Sequence, residues 1–328
     1  FQVLAAVAAG VAMWVLWGET HDAAAMALVG LNPLVLVAVV NGGHSDALVG
    51  LGVLAGVALV VRRRPWIGGV VLGLAALVKI VALLPLAAVA GWLLFRPDRR
   101  AAMRVAAAVV AAGLLTVGAG YALAGGRAAI EPVSEARLHY SDASPWDEVR
   151  VLLTRHEIHE GERGRVAGLE VRRSVALGVD LAVLALGVAL VVWRRRDTSP
   201  ALVAGGAALA YMLLGGYVLP WYVAWGAFVM ALRWRDHLTW VLVGQGALLE
   251  LAYLPNPRTG GTILPHPVHD LAERAELSLR HTGLPVLSAA AAVTVIMAAC
   301  FASSRSTSGT STARGPSGGS RSSPGSTG

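Results

Sequence analysis

Apolar runs alternate with short arginine clusters along most of this chain. The clusters lie at residues 62–64, 96–100, 194–196 and 233–235, and the runs between them carry few charges. Helices of about 20 apolar residues can cross the hydrocarbon core of a bilayer, and in lipid their backbone polar groups pair within each helix. The pattern predicts an all-α polytopic membrane helical bundle with about 11 membrane segments.

The arginine clusters also predict how these segments are connected. Arginines beside membrane helices mark the cytoplasmic side. Residues 66–95 and 201–232 each lie between two clusters, so we expect each stretch to cross twice, with turns near residues 79–85 and 215–222. The other predicted spans are residues 1–17, 23–40 with a kink at Pro33, 47–61, 101–123, 174–193, 238–254 and 285–301.

This arrangement divides the chain into a membrane domain and a tail. Residues 1–302 form the predicted membrane domain, and its two long polar loops, about 124–173 and 255–283, fall on the outer side. Residues 303–328 are rich in Ser and Gly and cannot build a core, so we expect a disordered cytoplasmic tail. The turns at 41–46 and 215–222 also fall on the outer side together with Lys79, which predicts a site there.

Composition narrows the class of protein further. Hydrophobic residues make up 56% of the chain and charged residues 14%, with a mean hydropathy of +0.63, which excludes an ordinary soluble domain. The net charge of +7 does not indicate nucleic-acid binding, because the arginines cluster beside apolar runs as topology signals do. Cys300 is the single cysteine, so no intramolecular disulfide can form.

Lys79 is the single lysine and follows an apolar run. An ionisable side chain within a membrane segment costs about 3 kcal/mol at the bilayer centre on insertion scales and marks function by default. Its ammonium suits a phosphate as a point charge. The alternative is snorkelling, in which the side chain reaches the interface from a helix end. We favour substrate binding, because the chain otherwise uses arginine as its basic residue.

The polar turn at residues 41–46 places Asn41, His44 and Asp46 between two apolar runs. A helix that begins after this turn presents free N–H groups and positive potential to a phosphate. We therefore predict substrate binding by these three residues. The alternatives are a structural turn, in which Asp46 stabilises the helix N-terminus, and a metal site, for which one His beside one Asp is a weak signature.

Trp221 and Tyr222 lie at a predicted membrane boundary. The simpler interpretation is an interfacial aromatic belt. The alternative is a platform for a sugar or a lipid inside the bundle, which is favoured by the helix-breaking Pro220, Gly215 and Gly216. Both aromatic residues are kept as candidate substrate-binding residues.

The two long loops give weaker signals. Trp146 suggests a short helix lying on the membrane. His266, His269, Asp270 and Glu273 in the second loop lack a convincing zinc spacing. The charged residues of the first loop are more typical of a solvated face: Glu131, Glu135, His139, Asp142, Asp147, Glu148, Arg150 and Arg155.

Several segments together resemble the GT-C glycosyltransferases of actinobacteria. They are residues 31–36 (LNPLVL), 41–48 (NGGHSDAL), 73–79 (GLAALVK) and the Pro220-Trp221-Tyr222 turn followed by Trp225. Among these enzymes, the chain resembles the polyprenol-phosphate-mannose-dependent α-mannosyltransferases that build lipomannan and related glycolipids. The likeness covers residues 20–100 well and 200–235 moderately, and the family usually has Asn where Ser45 stands.

The resemblance implies a membrane glycosyltransferase. It would transfer a mannosyl or other glycosyl unit from a polyprenyl-phosphate donor to a glycolipid or glycan acceptor, at the outer face of the bacterial plasma membrane. Its partners are the donor, the acceptor and the lipid bilayer, with no nucleic acid. In such enzymes a carboxylate acts as general base on the acceptor hydroxyl, and cations stabilise the departing phosphate. No cofactor is assigned, and a divalent cation stays open.

The chain departs from this family at its beginning. The family's catalytic carboxylate is expected in the first outer loop, between the first two spans. The topology places Phe1 on the outer side, without an initiator Met, so we expect the natural protein to be longer and the base to lie upstream of Phe1. Asp46 is a weak fallback for this role.

Two other classes of function remain alternatives. A lipid-linked sugar transporter or flippase would share broken helices and polar groups within the membrane, but it should show repeat symmetry between halves, which we do not detect. A non-catalytic membrane subunit would account for the missing base.

Overall fold

The computed structural model describes residues 1–154, 162–253 and 273–308, and every regular element in these ranges is a helix. The predicted all-α class is confirmed for them. The α-helices are α1 (Gln2–Thr20), α2 (Ala23–Gly30), α3 (Asp46–Val61), α4 (Pro65–Val78), α5 (Leu83–Leu93), α6 (Arg99–Leu123), α7 (Arg127–Ala136), α8 (Pro145–Thr154), α9 (Glu162–Trp193), α10 (Ala201–Leu214), α11 (Val223–Met230), α12 (His237–Ala252) and α13 (Leu284–Ser308). Short π-helical or 3-10 segments lie at Val35–Asn41, Ile80–Ala82, Pro220–Tyr222, Ala231–Arg233 and Leu279–Gly283.

The number of membrane-spanning helices differs from the prediction. By length and composition, four helical stretches of the described chain can cross a membrane: Gln2–Thr20, Arg99–Leu123, Gly168–Trp193 and Glu273–Cys300. A fifth exists if α2 and the segment Val35–Asn41, which meet at a 54° bend, form one span. The prediction of about 11 membrane segments is therefore wrong.

The error comes from helix length. Helices α4 and α10 have 14 residues each, which at 1.5 Å per residue reach about 21 Å. The hydrocarbon core is about 30 Å thick. Hydropathy detects these apolar runs correctly, but the folded helices are too short to count as separate spans.

The predicted turns do occur where helix-breaking residues stand. Helix α4 ends at Val78, Lys79 is extended, and the 3-10 turn Ile80–Ala82 leads into α5. Helix α10 ends at Leu214, and the 3-10 turn Pro220–Tyr222 leads into α11. The bend predicted at Pro33 lies between α2 and Val35–Asn41.

The bundle has two distinguishable ends. The side chain of Gln2 donates to the carbonyl of Asn41, so α1 begins beside the turn that precedes α3. Arg62 Nε lies 2.8 Å from Glu19 Oε1, so α1 ends where α3 ends. The Lys79 end is defined as residues 41–46, 79–82 and 215–222, and the Arg62 end as residues 18–22, 62–64, 96–100, 194–200 and 233–236.

Small residues allow the helices to pack closely. A Cβ built on Gly68 of α4 would lie 2.8 Å from the Gly56 carbonyl oxygen of α3, and one built on Gly73 would lie 2.7 Å from the Gly113 carbonyl oxygen of α6. Such glycine contacts replace a hydrophobic driving force that is weak between helices in lipid. Helix α11, of which all eight residues are buried, lies at the centre.

The first long loop is mostly helical. It contains α7 and α8, and α9 begins at Glu162, well before the predicted start of the span at residue 174. Glu131, Glu135, His139 and Asp142 are exposed, as predicted for a solvated face. Asp147 and Arg150 instead form an ion pair, with Oδ1 and Nη2 2.6 Å apart, whose side chains are mostly buried.

The structure describes only part of the predicted tail and of the second long loop. Helix α13 extends to Ser308, six residues into the segment predicted as a disordered tail. Residues 309–328 lie outside the described residues, as do Arg155 and residues 254–272 with His266, His269 and Asp270.

Candidate active site

Asp46 is brought to its partner by a close approach of α3 to α11. A Cβ on Gly50, one turn after Asp46, would lie 2.3 Å from the Ala224 carbonyl oxygen, so only glycine allows the two backbones to come this near. As a result Trp225 Nε1 donates a hydrogen bond of 2.7 Å to Asp46 Oδ1. The Asp46 side chain is 1% exposed, so this contact satisfies a carboxylate that is shielded from water.

Lys79 faces the same carboxylate from the turn between α4 and α5. Its backbone is extended at the end of α4, and its Nζ lies 4.0 Å from Asp46 Oδ1. The ammonium also lies 5.7 Å from the centre of the Tyr222 ring, within the range of a cation–π contact. With 37% of its side chain exposed, Lys79 is held in place and still accessible to a ligand.

Stacked aromatic rings form the wall next to Lys79. The rings of Tyr222 and Trp225 stack with centres 3.9 Å apart, and those of His44 and Trp221 stack at 3.8 Å. The 3-10 turn Pro220–Tyr222 places Trp221 and Tyr222 nearly perpendicular to each other, so one ring faces His44 and the other faces Trp225.

The irregular segment between α10 and α11 is supported by the first loop. The Ser144 hydroxyl donates to the Gly215 carbonyl at 2.8 Å, and the Ser141 hydroxyl accepts from the Val218 amide at 3.0 Å. On α8, the short helix predicted around Trp146, that indole donates to the Leu214 carbonyl at 2.8 Å. Backbone groups outside helices must find partners inside a membrane protein, and these contacts supply them.

Lys79, Tyr222 and Trp225 line a cavity of about 840 Å³. Its other walls are largely aliphatic, from the α4–α5 turn, α6, α7 and α9. Two further charged residues line it, Arg137 and Asp180, which form an ion pair between α7 and α9. The cavity thus combines an apolar surface with a few charged groups, the usual character of a site for an amphiphilic ligand.

The predicted site residues divide into two groups. Lys79 and Tyr222 line the cavity, whereas His44, Asp46 and Trp221 lie behind them. Asn41 is exposed at the end of the π-helical segment, where its carbonyl accepts from Gln2. The structure adds further lining residues that were not selected from the sequence, and four of them are Arg137, Asp180, Tyr211 and Trp225.

For one of these four residues, the sequence contains a feature that could have predicted a functional role. Asp180 is the single charged residue between Ser174 and Trp193, and a lone acid in an apolar span marks a functional candidate. Trp225 was part of the family-like segment but was not distinguished from an interfacial aromatic. Arg137 and Tyr211 become recognisable only through the packing of α7 and α10 around the cavity.

Comparison with protein families identifies the chain. Residues 1–96 match the family model described as Alpha-(1->6)-mannopyranosyltransferase, N-terminal domain. Residues 165–269 match the MptB C-terminal domain, and the two matches together cover more than half of the chain. The chain belongs to the alpha-(1->6)-mannopyranosyltransferase family. No curated protein and no solved structure matches it.

Family membership makes this chain an α-mannosyltransferase, with a sugar donor and a glycan or lipid acceptor. The recognition made from the sequence is confirmed at this level. The candidate site lies where the two matched regions meet: Asp46 and Lys79 belong to the first, and Tyr222, Trp225 and Asp180 to the second. Both regions are therefore needed to build the cavity of this mannosyltransferase.

The Arg62 end of the mannosyltransferase contains a second aspartate–tryptophan hydrogen bond, whose surroundings differ from those of the Asp46–Trp225 pair. Trp234 Nε1 donates to Asp22 Oδ2 at 2.8 Å, and Asp22 Oδ1 accepts from the Ala24 amide at 2.9 Å as the N-cap of α2. The Trp234 hydrogen bond, followed by that of Ala24, holds the pKa of Asp22 below its ordinary value of 3.8. These contacts stabilise a helix terminus.

Among the described residues, no group of three or more His, Cys, Asp or Glu side chains comes together as a metal site. The charged groups at the cavity are those already named, Lys79 and the Arg137–Asp180 pair.

Proposed function

We propose that this mannosyltransferase takes its mannosyl unit from a polyprenyl-phosphate donor and transfers it to a hydroxyl of a glycolipid or glycan. The observation that carries the proposal is the position of Lys79. Its ammonium lies 4.0 Å from a buried carboxylate, and Lys79 lines a largely aliphatic cavity of about 840 Å³. An isoprenoid phosphate needs both features, an apolar surface for its chain and a cation for its phosphate.

Lys79 would act on the leaving group. When the bond between the sugar and the phosphate breaks, negative charge develops on the phosphate oxygen. A preorganised cation aimed at that oxygen stabilises the transition state more than the ground state. The buried Asp46, whose Oδ1 lies 4.0 Å from Lys79 Nζ, fixes the position of the ammonium, so the cation is in place before the reaction begins.

Asp46 suits this positioning role better than the role of general base. It does not line the cavity, its side chain is 1% exposed, and its Oδ1 already accepts the Trp225 indole N–H. A general base must come within hydrogen-bond reach of the acceptor hydroxyl. We therefore do not propose Asp46 as the base of this reaction.

The proposed side of the membrane follows from the charges. Arginine-rich segments favour the cytoplasmic side, and the Arg62 end contains residues 62–64, 96–100, 194–196 and 233–235. The Lys79 end would then face the outside of the bacterial plasma membrane. A GT-C type of membrane transferase, acting at the outer face on a lipid-linked donor, is consistent with this orientation.

The test is a transfer assay with the Lys79→Met variant. The protein, expressed from its complete gene and reconstituted in liposomes, is given labelled polyprenyl phosphomannose and a mannolipid acceptor. Wild type should form product. Lys79→Met should lower kcat/KM on the order of 100-fold, the usual cost of losing one preorganised electrostatic contact.

Arg99→Met is the matched control, because Arg99 is an exposed cation at the Arg62 end; it should keep wild-type transfer. Equal activity of wild type and Lys79→Met would contradict the proposed phosphate contact and favour snorkelling as the role of Lys79. Movement of the labelled donor across the bilayer without product would favour the transporter alternative.

A further inference from the structure

The wall formed by α7 and α9 presents a pair of opposite charges to the cavity. Asp180 of α9 and Arg137 of α7 form an ion pair, and both line the cavity that also holds Lys79. Among the described residues that line this cavity, Asp180 is the single carboxylate. The proposed function assigns the phosphate to Lys79 and gives this pair no role.

The position of Asp180 in α9 argues against a purely incidental surface charge. The stretch Gly168–Trp193 is long and apolar enough to cross a membrane, and Asp180 lies 14 residues before Arg194 at the Arg62 end. At 1.5 Å per residue this is about 20 Å, well inside a hydrocarbon core about 30 Å thick. Ionisable residues at such depth face a cavity and mark substrate pathways.

The ion pair also leaves hydrogen-bonding capacity free. The side chains of Asp180 and Arg137 are 51% and 54% exposed. One carboxylate offers about four acceptor sites, and one guanidinium offers five N–H donors. A single contact between them uses a small part of that capacity, so the pair can accept from hydroxyl groups and donate to ring or hydroxyl oxygens at the same time.

The neighbouring walls fit the same kind of ligand. Tyr211, Tyr217 and Tyr222 line the cavity together with Trp225. Apolar and aromatic walls with a few convergent polar groups are what a small-molecule site uses to fix orientation. A ligand with several adjacent hydroxyls would meet ring faces on one side and the charged pair on another.

We propose that Asp180 and Arg137 bind the hydroxyl groups of a glycosyl unit and so act as a specificity-determining pair of the cavity. This proposal rests on the proposed function, from which it takes mannose as the sugar. The glycosyl unit could belong to the donor or to the acceptor, because both present vicinal hydroxyls. In either case the pair holds one sugar while Lys79 holds the phosphate.

Kinetic constants for each substrate distinguish these two sources. Asp180→Asn removes the charge with little change in shape. It should raise the KM of one substrate about tenfold, the cost of one hydrogen bond to a charged group, with kcat little changed. An increase confined to the acceptor assigns the pair to the acceptor, and one confined to the donor assigns it to the donor mannose. Unchanged KM for both substrates would overturn the proposal.

A charge-swapped double variant, Asp180→Arg with Arg137→Asp, separates binding from structure. If the pair only ties α7 to α9, the swap should restore both thermal stability and KM. If the pair binds a sugar, the swap should restore stability and leave KM raised. Asp147→Asn, which breaks the Asp147–Arg150 pair away from the cavity lining, is the matched control and should leave both KM values unchanged.

A binding measurement keeps this inference separate from the proposed function. Saturation-transfer NMR with mannobiose, without any donor, should give a signal with wild type that is lost in Asp180→Asn and kept in Asp147→Asn. This result in a protein that transfers no mannose would refute the proposed function while supporting the sugar-binding pair. An equal signal in wild type and Asp180→Asn would refute the pair. Absence of signal in both would refute its binding of an acceptor sugar, and an unchanged donor KM in Asp180→Asn would then refute the pair as a whole.

Discussion

The two ends of the bundle contain the same hydrogen bond in different surroundings. Trp225 donates to Asp46 at 2.7 Å at the Lys79 end, and Trp234 donates to Asp22 at 2.8 Å at the Arg62 end. Asp46 is 1% exposed and lies 4.0 Å from the ammonium of Lys79. Asp22 instead caps α2. The chemical pair alone does not distinguish a reactive site from a structural one.

What distinguishes them is the neighbouring cation and its access to a ligand. At the Lys79 end, the Asp46 carboxylate lies beside the ammonium of Lys79, and Lys79 lines a cavity of about 840 Å³. At the Arg62 end, the carboxylate satisfies backbone N–H groups that any helix start leaves unpaired. Substitutions at the two ends should therefore separate effects on transfer from effects on stability.

Removing the carboxylates should give the largest difference. Asp46→Ala leaves the Trp225 indole and Lys79 without their buried partner. We expect transfer to fall on the order of 100-fold and stability to fall by about 1–3 kcal/mol. Asp22→Ala should lower thermal stability through loss of the α2 cap and keep transfer near the wild-type rate. Parallel transfer assays and melting curves check both, and equal loss of transfer in the two variants would contradict the comparison.

The next largest effect should come from a change in the distance between helices α3 and α11. Gly50→Ala forces α3 away from α11, because its Cβ would lie 2.3 Å from the Ala224 carbonyl oxygen. Overpacking of this kind costs about 1–3 kcal/mol, and it should lengthen the Asp46–Trp225 hydrogen bond and reduce transfer.

Gly187→Ala on α9 is the matched control, since nothing lies within 4 Å of its Cβ position. It should keep transfer and gain up to about 1 kcal/mol from helix propensity. Melting temperature and transfer rate of both variants test this, and unchanged transfer in Gly50→Ala would show that the close approach of α3 and α11 is not needed for the site.

The smallest effects should come from the tryptophans. Trp225→Phe keeps an aromatic ring and loses the N–H donor, so we expect about a tenfold loss of transfer. Trp234→Phe should leave transfer unchanged and lower the melting temperature in a pH-dependent way.

The sign of that dependence follows from Asp22. Its pKa in the folded protein is held below the ordinary 3.8 by the Trp234 hydrogen bond, so the stabilisation is present above that value and is lost as the pH falls through the folded pKa. The difference in melting temperature between wild type and Trp234→Phe should therefore be present at neutral pH and disappear in acid. For Trp240→Phe, a change at an exposed indole, the difference from wild type should not depend on pH in this way. A difference that stayed constant into acid would argue against the Asp22 contact.

Local features of the structure were predictable from neighbouring residues. Lys79 and the Pro220–Tyr222 turn were selected because a lone cation and a proline break an apolar pattern, and both lie at helix junctions. The number of spans was not predicted, because hydropathy counts apolar runs and does not reveal that α4 and α10 stop after 14 residues.

The composition of the site depended on distant parts of the chain. Asp46 and Trp225 are separated by 179 positions, and Arg137 and Asp180 by 43. Their meeting follows from helix packing, in which Gly50 allows α3 and α11 to touch. A sequence signal existed for Asp180 as a lone charge in its span, but its partner and its cavity did not follow from that signal.

The sequence by itself determined the helical class, the family, the junctions between helices and the clustering of arginines beside apolar runs. These features depend on hydrophobicity, turn residues and charge within a few positions of each other. The tertiary structure decided which carboxylate is buried, which cation is accessible and which residues share a cavity. Burial and access depend on the approach of helices far apart in the chain, which glycine contacts and loop hydrogen bonds set only after folding.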